Sequence, residues 1–128
     1  MYNNKVLNLF SKPKNVGVLQ GASGVGQFTN KLTNDVYKLY LKVEDDIIVD
    51  ANFKAFCGAD GIAVFSVLTE LLKGQNIAQE QIVDIKDIEL QVGDLGAENN
   101  SIDDALQTLK NAVTDYNKKQ EKLRLQKN

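Results

Sequence analysis

The only cysteine of the chain, Cys57, lies in the segment FKAFCGADGIA, where a β-like run gives way to a helical pattern. A thiol at the start of a helix can have a lowered pKa, because the helix dipole favours the thiolate, and Lys54 would act in the same direction. A free cysteine is also commonly a small buried hydrophobe that does no chemistry. The residues around Cys57 therefore allow two interpretations, a reactive thiol and a packing residue.

The absence of histidine is the most restrictive feature of the composition. Histidine is the commonest metal ligand and the commonest general base near neutral pH. A histidine-based catalytic triad is therefore excluded, and a metal site must use carboxylates, Cys57 and ligands from other molecules. The sequence contains no residue constellation typical of a hydrolase or a nucleotide-binding enzyme.

The glycine-rich segment GASGVG, residues 21–26, could suggest a phosphate-binding loop. It lacks the Lys-Ser/Thr pair that a P-loop requires, and no helical pattern follows it. We therefore expect an edge strand or an extended segment at residues 21–30.

The overall composition is that of one globular domain over residues 1–128, with 43% hydrophobic and 25% charged residues. The net charge of −2 argues against a general nucleic-acid binder, because phosphate contacts need a basic face. One cysteine cannot form an internal disulfide, and neither a signal peptide nor a membrane span is visible. The composition therefore predicts a cytoplasmic protein.

Hydrophobic periodicity predicts the elements that must position these residues. An apolar stripe indicates an opening helix, and alternating runs at residues 37–43 and 47–55 predict an antiparallel hairpin with one buried face. A helix capped by Asp60 is expected to run to about Lys73. A shorter helix is expected at residues 77–85, followed by an acidic loop.

The C-terminal region predicts a long helix. Ser101 and Asp104 resemble a capping box, and helical apolar spacing continues to Tyr116. Residues 118–128 are rich in lysine and poor in apolar residues, so we expect a frayed basic tail there. Together the patterns predict an α+β fold in which helices pack on a small antiparallel sheet.

Five segments of the chain form an ordered set: KPKNVGVL, DVYKLYLKVEDD, IIVDANFKAF, GIAVFSVLTELLKG and DALQTLKNAVTDYNKK. In order and in spacing this set resembles the NifU/IscU/SufU family of iron–sulfur cluster assembly scaffolds, over residues 3–119. The resemblance implies a three-stranded antiparallel sheet, a helical layer and a long C-terminal helix. It also implies a scaffold or sulfur-transfer protein rather than an enzyme, with a cysteine desulfurase as partner.

In this family three cysteines and an aspartate at one end of the domain hold a nascent iron–sulfur cluster or a zinc ion, because thiolates suit both. Of these ligands only the aspartate carries over, as Asp35. Thr33 stands at the place of the first cysteine. Gly58 stands at the place of the second, with Cys57 one residue earlier, and the third place, around Ser101, has no thiol. LQVGDL replaces the Leu-Pro-Pro-Val-Lys segment with which many relatives bind a chaperone.

The resemblance thus implies a role in iron–sulfur cluster assembly, with Cys57 as a sulfur acceptor and with Asp35 and Cys57 as an incomplete ligand set for a cluster, iron or zinc. One thiolate cannot ligate a [2Fe–2S] cluster alone, so stable assembly would need a homodimer that shares two Cys57 thiolates, or ligands from a partner. The alternative is an interaction or regulatory module that keeps the family surface and lacks the chemistry.

Overall fold

The computed structural model describes residues 2–127. In chain order its elements are α1 (Asn4–Ser11), β1 (Gly24–Asn30), β2 (Asp35–Glu44), β3 (Ile47–Phe56), α2 (Ala59–Leu72), α3 (Ile85–Val92) and α4 (Ser101–Gln126). The strands form one antiparallel sheet in the order β1-β2-β3.

Strands β2 and β3 form the hairpin that the two alternating runs predicted. Asp45 and Asp46 connect them with φ values of 52° and 65°, and positive φ at both positions is the geometry of a two-residue hairpin turn. At the other end of the hairpin Val36 pairs with Phe56. The start of β2 and the end of β3 therefore lie side by side, which brings the segments of Asp35 and Cys57 together.

One face of the sheet carries the core. Tyr37, Leu39 and Phe53 are fully buried on this face. The ring of Phe65, from α2, stacks on Tyr37 with a centroid distance of 4.7 Å and lies 5.4 Å from the ring of Phe53. Aromatic pairs of this kind contribute about 0.5–1.5 kcal/mol each beyond the burial of their area. These contacts hold α2 on the sheet, and the predicted α+β fold is confirmed.

The long helix α4 packs directly on β1 through two glycines of the GASGVG segment. A Cβ atom at Gly26 would collide with the backbone of Thr108 and Ala112. A Cβ atom at Gly24 would lie 2.7 Å from the carbonyl oxygen of Ala112. The glycines therefore allow a helix to approach the strand, and the edge strand expected in this segment is confirmed.

Side chains of α4 also cover the free edge of β1. The carboxylate of Asp115 accepts a hydrogen bond of 2.7 Å from the backbone N–H of Val25. The side-chain amide of Asn111 donates one of 2.8 Å to the carbonyl oxygen of Gln27. Backbone groups that would otherwise form an unpaired sheet edge are thereby satisfied.

The short helix predicted at residues 77–85 is wrong in position. That segment forms turns, and the helix, α3, begins only at Ile85. Asp84 starts it by accepting a hydrogen bond of 2.9 Å from the backbone N–H of Lys86, and Gly93 ends it with a φ of 76°. The first part of the predicted acidic loop, up to Val92, is therefore helical, because a capping aspartate and a terminal glycine enclose one amphipathic stretch.

The caps predicted at Asp60 and Ser101 are also wrong. The N-cap of α2 is Gly58 and that of α4 is Asn100, and neither makes a side-chain capping bond. The hydroxyl of Ser101 instead donates to the carboxylate of Asp60 across the two helices. Two polar side chains are thus used for a tertiary contact in place of local capping.

Helix α4 continues to Gln126, so most of the basic tail is helical and exposed. The fraying of this end stays a prediction. The extent of a single domain over residues 1–128 also stays a prediction, and Met1 and Asn128 lie outside the described residues. Between residues 2 and 127 no helix is both long enough and apolar enough to cross a bilayer.

We expect Gly26→Ala to lower the free energy of unfolding by about 1–3 kcal/mol or more, because the added methyl group must push α4 away from β1. Urea unfolding followed by circular dichroism measures the change. Gln27→Ala, on the exposed face of the same strand, is the matched control and should change stability by no more than about 0.5 kcal/mol. Equal stability of Gly26→Ala and the wild type would contradict the close approach.

Candidate functional site

Polar side chains from four parts of the chain meet at one end of the sheet. This end is formed by the β1–β2 turn, the residue after β3 and the first turns of α2 and α4. It contains one thiol, three carboxylates, a phenol, two amides and a hydroxyl, from Cys57, Asp35, Asp60, Asp104, Tyr37, Asn30, Asn99 and Ser101. We refer to these eight residues as the polar end.

Asp35, the predicted ligand, begins β2 and faces Asn30 across the sheet. Its carboxylate accepts a hydrogen bond of 3.4 Å from the hydroxyl of Tyr37, whose ring is held by the stacking on Phe65. Burial raises the pKa of Tyr37, and the negative charge of Asp35 raises it further. The phenol therefore stays protonated and acts as a fixed donor toward the carboxylate.

Asp104, one turn into α4, is buried beside the end of β1. The side-chain amide of Asn30 donates to both carboxylate oxygens, at 3.2 and 3.1 Å. The oxygen of the same amide accepts from the backbone N–H groups of Leu32 and Thr33, which fixes the β1–β2 turn. Burial raises the pKa of Asp104, partly offset by the hydrogen bond from Asn30. Asn30 thus joins the turn to the helix.

Asp60 lies in the first turn of α2 and holds the start of α4. Its Oδ2 atom accepts a hydrogen bond of 3.0 Å from the hydroxyl of Ser101 and a second from the side-chain amide of Asn99. The oxygen of the Asn99 amide in turn accepts from the backbone N–H of Ser101 at 2.8 Å. The resemblance implies the family's third cysteine at the place around Ser101. In this chain, hydrogen bonds join the starts of α2 and α4 there instead.

Cys57 follows β3 directly, and its side chain is partly buried. The thiol donates a hydrogen bond of 3.3 Å to the carbonyl oxygen of Gly58. A Cβ atom at Gly61 would lie 2.6 Å from the Cys57 sulfur and 3.2 Å from the ring of Tyr37. The glycine in the first turn of α2 therefore makes the room that the sulfur occupies.

The electrostatics of the polar end favour the neutral thiol. Burial raises the pKa of Cys57 to about 12, and the charges of Asp35 and Asp60 act in the same direction. The backbone N–H of Ile62 lowers it by a smaller amount. The lowered pKa expected from Lys54 and the helix dipole is therefore wrong. Lys54 belongs to the opposite face of the sheet, and the charges that act on the sulfur are the carboxylates of Asp35, Asp60 and Asp104.

The donor set at the polar end does not fit a zinc ion or an iron–sulfur cluster bound to one chain. Among the side chains of residues 2–127, no group of three or more His, Cys, Asp or Glu is arranged to hold a metal ion. The polar end offers one sulfur and carboxylate oxygens, whereas zinc and iron–sulfur sites use several thiolate or imidazole ligands. The structure brings Cys57 and Asp35 into one site, and their roles as ligands stay predictions.

Sequence patterns alone do not place Asp60 and Asp104 at the site, because they indicate local capping residues at both positions. They also do not identify Asn30, Tyr37 and Asn99. The place of Asp60 and Asp104 was a usable signal, since each lies in the first turn of a helix that the resemblance directs toward the ligand end. Local hydrogen-bonding preference predicts caps at these positions, whereas in the structure both carboxylates accept hydrogen bonds from distant segments.

Comparison with known proteins decides the family. Residues 1–123 match the family described as NifU-like N terminal domain. The chain belongs to this family. The resemblance drawn from the five segments is therefore confirmed, together with the sheet and the long C-terminal helix that it implied.

Individual relatives agree with this assignment. The chain is 42% identical to the iron–sulfur cluster assembly scaffold protein IscU of Aquifex aeolicus over 93% of this chain and 78% of that protein. It is 33% identical to IscU 1 of Archaeoglobus fulgidus over 96% of this chain and 81% of that protein. The crystal structure of a nitrogen-fixing NifU-like protein (N-terminal) from Brucella abortus has the same fold, with a TM-score of 0.68, 22% identity and 94% coverage of each chain.

We expect alkylation of Cys57 by iodoacetamide to rise about tenfold per pH unit between about pH 7 and 10 without a plateau, because the thiolate fraction follows a pKa of about 12. Mass spectrometry of samples quenched at set times gives the alkylation rate of the folded chain at each pH. The same chain in denaturant is the control and should level off near the ordinary thiol pKa, about 8.5. A plateau below about pH 9 in the folded chain would contradict the raised pKa.

We expect Asp35→Asn to lower the pKa of Cys57, since the substitution removes a negative charge that opposes the thiolate. The alkylation rate near pH 8 should rise by about threefold to tenfold, the effect of a shift of about half a unit to one unit. Asp103→Asn is the matched control, because Asp103 is exposed and is not among the charges that act on Cys57. If both variants react like the wild type, Asp35 does not control the thiol.

Proposed function

We propose that this chain takes part in iron–sulfur cluster assembly and that Cys57 accepts sulfur there from a cysteine desulfurase. The observation that carries the proposal is the partly exposed thiol at the polar end, where the family resemblance puts the sulfur chemistry. Relatives named iron–sulfur cluster assembly scaffold protein IscU, at 33% and 42% identity over nearly the whole chain, support this function. A free thiol persists in a reducing compartment, so the proposed place of action is the cytoplasm.

The proposed step is a transfer of one sulfur atom. The Cys57 thiolate attacks the outer sulfur of a persulfide on the desulfurase, and a new sulfur–sulfur bond forms on Cys57. The sulfur–sulfur bond of the desulfurase breaks, and its cysteine leaves as a thiolate, so no external oxidant or reductant is needed. The proton of the Cys57 thiol goes to solvent or to a neighbouring carboxylate.

The carboxylates of the polar end oppose this step in the isolated chain, because they raise the pKa of the attacking thiol. A positive charge that approaches Asp35 and Asp60 would reverse their effect, and a docked partner or an iron ion delivered as cargo supplies such a charge. Sulfur acceptance is thereby linked to the presence of a second molecule. A stable cluster requires further thiolates, from a second copy of Cys57 or from the partner.

The second candidate function is an interaction or regulatory module for the same desulfurase, without sulfur transfer. Two observations favour this second function: the raised pKa of Cys57 and the hydrogen bonds that Ser101 forms with Asn99 and Asp60. Both make the polar end less reactive than a set of free thiolates. In that case the family surface, rather than the thiol, is the functional part.

Anaerobic incubation with a cysteine desulfurase, pyridoxal phosphate and cysteine, followed by intact-protein mass spectrometry, tests the proposal. We expect the wild type to gain one sulfur atom and Cys57→Ser to gain none. A persulfide forms on this chain only if the desulfurase persulfide reaches Cys57. The comparison with Cys57→Ser is therefore decisive.

The same reactions separate the two candidates. If an active desulfurase leaves the wild type unmodified, sulfur acceptance is wrong. The module function then predicts that wild type and Cys57→Ser change the rate of sulfide release by the desulfurase equally. If neither changes that rate nor binds the desulfurase, both candidates fail.

A further inference from the structure

The face of the sheet that points away from the core carries an unusual set of side chains. Cross-strand pairs place Val36 beside Phe56 and Lys38 beside Lys54 on this face. On the other side of Lys38 lies Gln27 of β1, which is exposed. We call these five residues the basic sheet face. They line a shallow depression over the ring of Tyr40.

The two lysines of the basic sheet face stand directly opposite each other. Like charges directly opposite each other destabilise a sheet. Within residues 2–127 neither Lys38 nor Lys54 forms an ion pair with an acidic side chain. Elsewhere on the sheet Lys73 of α2 forms an ion pair with Asp50 of β3, with 3.9 Å between the ammonium and carboxylate groups. The positive charge at Lys38 and Lys54 thus lacks a counter-charge within that part of the chain.

The aromatic residue beside these lysines is exposed to an unusual degree. Phe56 has 83% of its surface accessible to solvent, although it ends a regular strand next to Val36. The ammonium group of Lys38 lies 5.5 Å from the ring of Tyr40, which further orients the charge over the depression. An exposed aromatic ring is a common anchor of a protein interface, and polar or charged groups form the rim around such an anchor.

From this charge and this exposed ring we propose that the basic sheet face binds an acidic segment of a partner protein, with carboxylates on Lys38 and Lys54 and an apolar side chain against Phe56. Charge complementarity favours this occupant, because the chain as a whole has a net charge of −2 and the basic sheet face is a local exception. Nucleic acid fits less well, since phosphate binding needs a longer run of positive charge.

The proposed surface is separate from the sulfur site. Phe56 ends β3 beside Val36, on the face that points away from the core. Cys57 follows the strand, and its sulfur lies against Gly61 of α2, on the core side. An acidic partner on the basic sheet face would therefore lie next to the polar end without covering the thiol. This inference does not depend on sulfur transfer to Cys57.

A titration of the ¹⁵N-labelled chain with defined probes tests the proposal by NMR. The probes are a synthetic peptide of glutamates and aspartates interrupted by leucines, the same peptide with glutamine and asparagine, and an oligouridylate. At low salt we expect the acidic peptide to shift the amide signals of Val36, Lys38, Lys54 and Phe56, and to bind at least about tenfold tighter than the neutral peptide.

Variants of the full chain sharpen the test. The double substitution Lys38→Glu and Lys54→Glu should weaken binding of the acidic peptide at least about tenfold. Phe56→Ala should weaken it several-fold, and Lys86→Glu, an exposed site on α3, should leave it unchanged. Circular dichroism checks that each variant keeps the fold.

Four results would overturn the proposal. They are no binding of the acidic peptide, equal binding of the acidic and neutral peptides, shifts confined to the lysine-rich end of α4, and tighter binding of the oligouridylate at the same face. The titration contains no desulfurase and can be repeated with Cys57→Ser, so its failure is distinguishable from a failure of the sulfur-acceptor proposal.

Discussion

The close approach of α4 to β1 is the contact on which the polar end depends. Gly24 and Gly26 remove the side chains that would hold the helix away from the strand. The helix then lies low enough for Asp104 to reach Asn30, and for Ser101 to reach Asp60 at the start of α2. A wider separation would break both links, because each depends on short polar side chains. The packing of two glycines thus determines which polar groups surround the thiol.

The same packing explains why the neutral form of the Cys57 thiol is favoured. Three carboxylates enter one small region, and their combined charge and the burial of the site raise the pKa of Cys57 and Asp104. Hydrogen bonds from Tyr37, Asn30 and Ser101 satisfy the carboxylates without neutralising them. The site is therefore well bonded and still electrostatically unfavourable for a further negative charge.

The elements with strong periodicity could be predicted from the sequence, namely the hairpin, the long C-terminal helix and the α+β class. Helix α3 was predicted too early, because the apolar residues of 77–83 resemble a helix until the capping role of Asp84 is known. The site was predicted in part. Cys57 and Asp35 do meet at one end of the sheet, but the pKa of Cys57 and the role of Asp60 depend on distances between helices, which no local pattern contains.

Two different surfaces meet at the end of β3, where the strand gives way to α2. Cys57 turns toward the carboxylates, whereas Phe56, one residue earlier, turns to the open face beside Lys54. Negative charge therefore collects on one side of the sheet end and positive charge on the other. Substitutions on one face leave the packing of the other largely untouched, because the sheet itself separates them. In a chain that lacks the family's other thiolates, the proposed sulfur chemistry and the proposed partner surface can for this reason change independently.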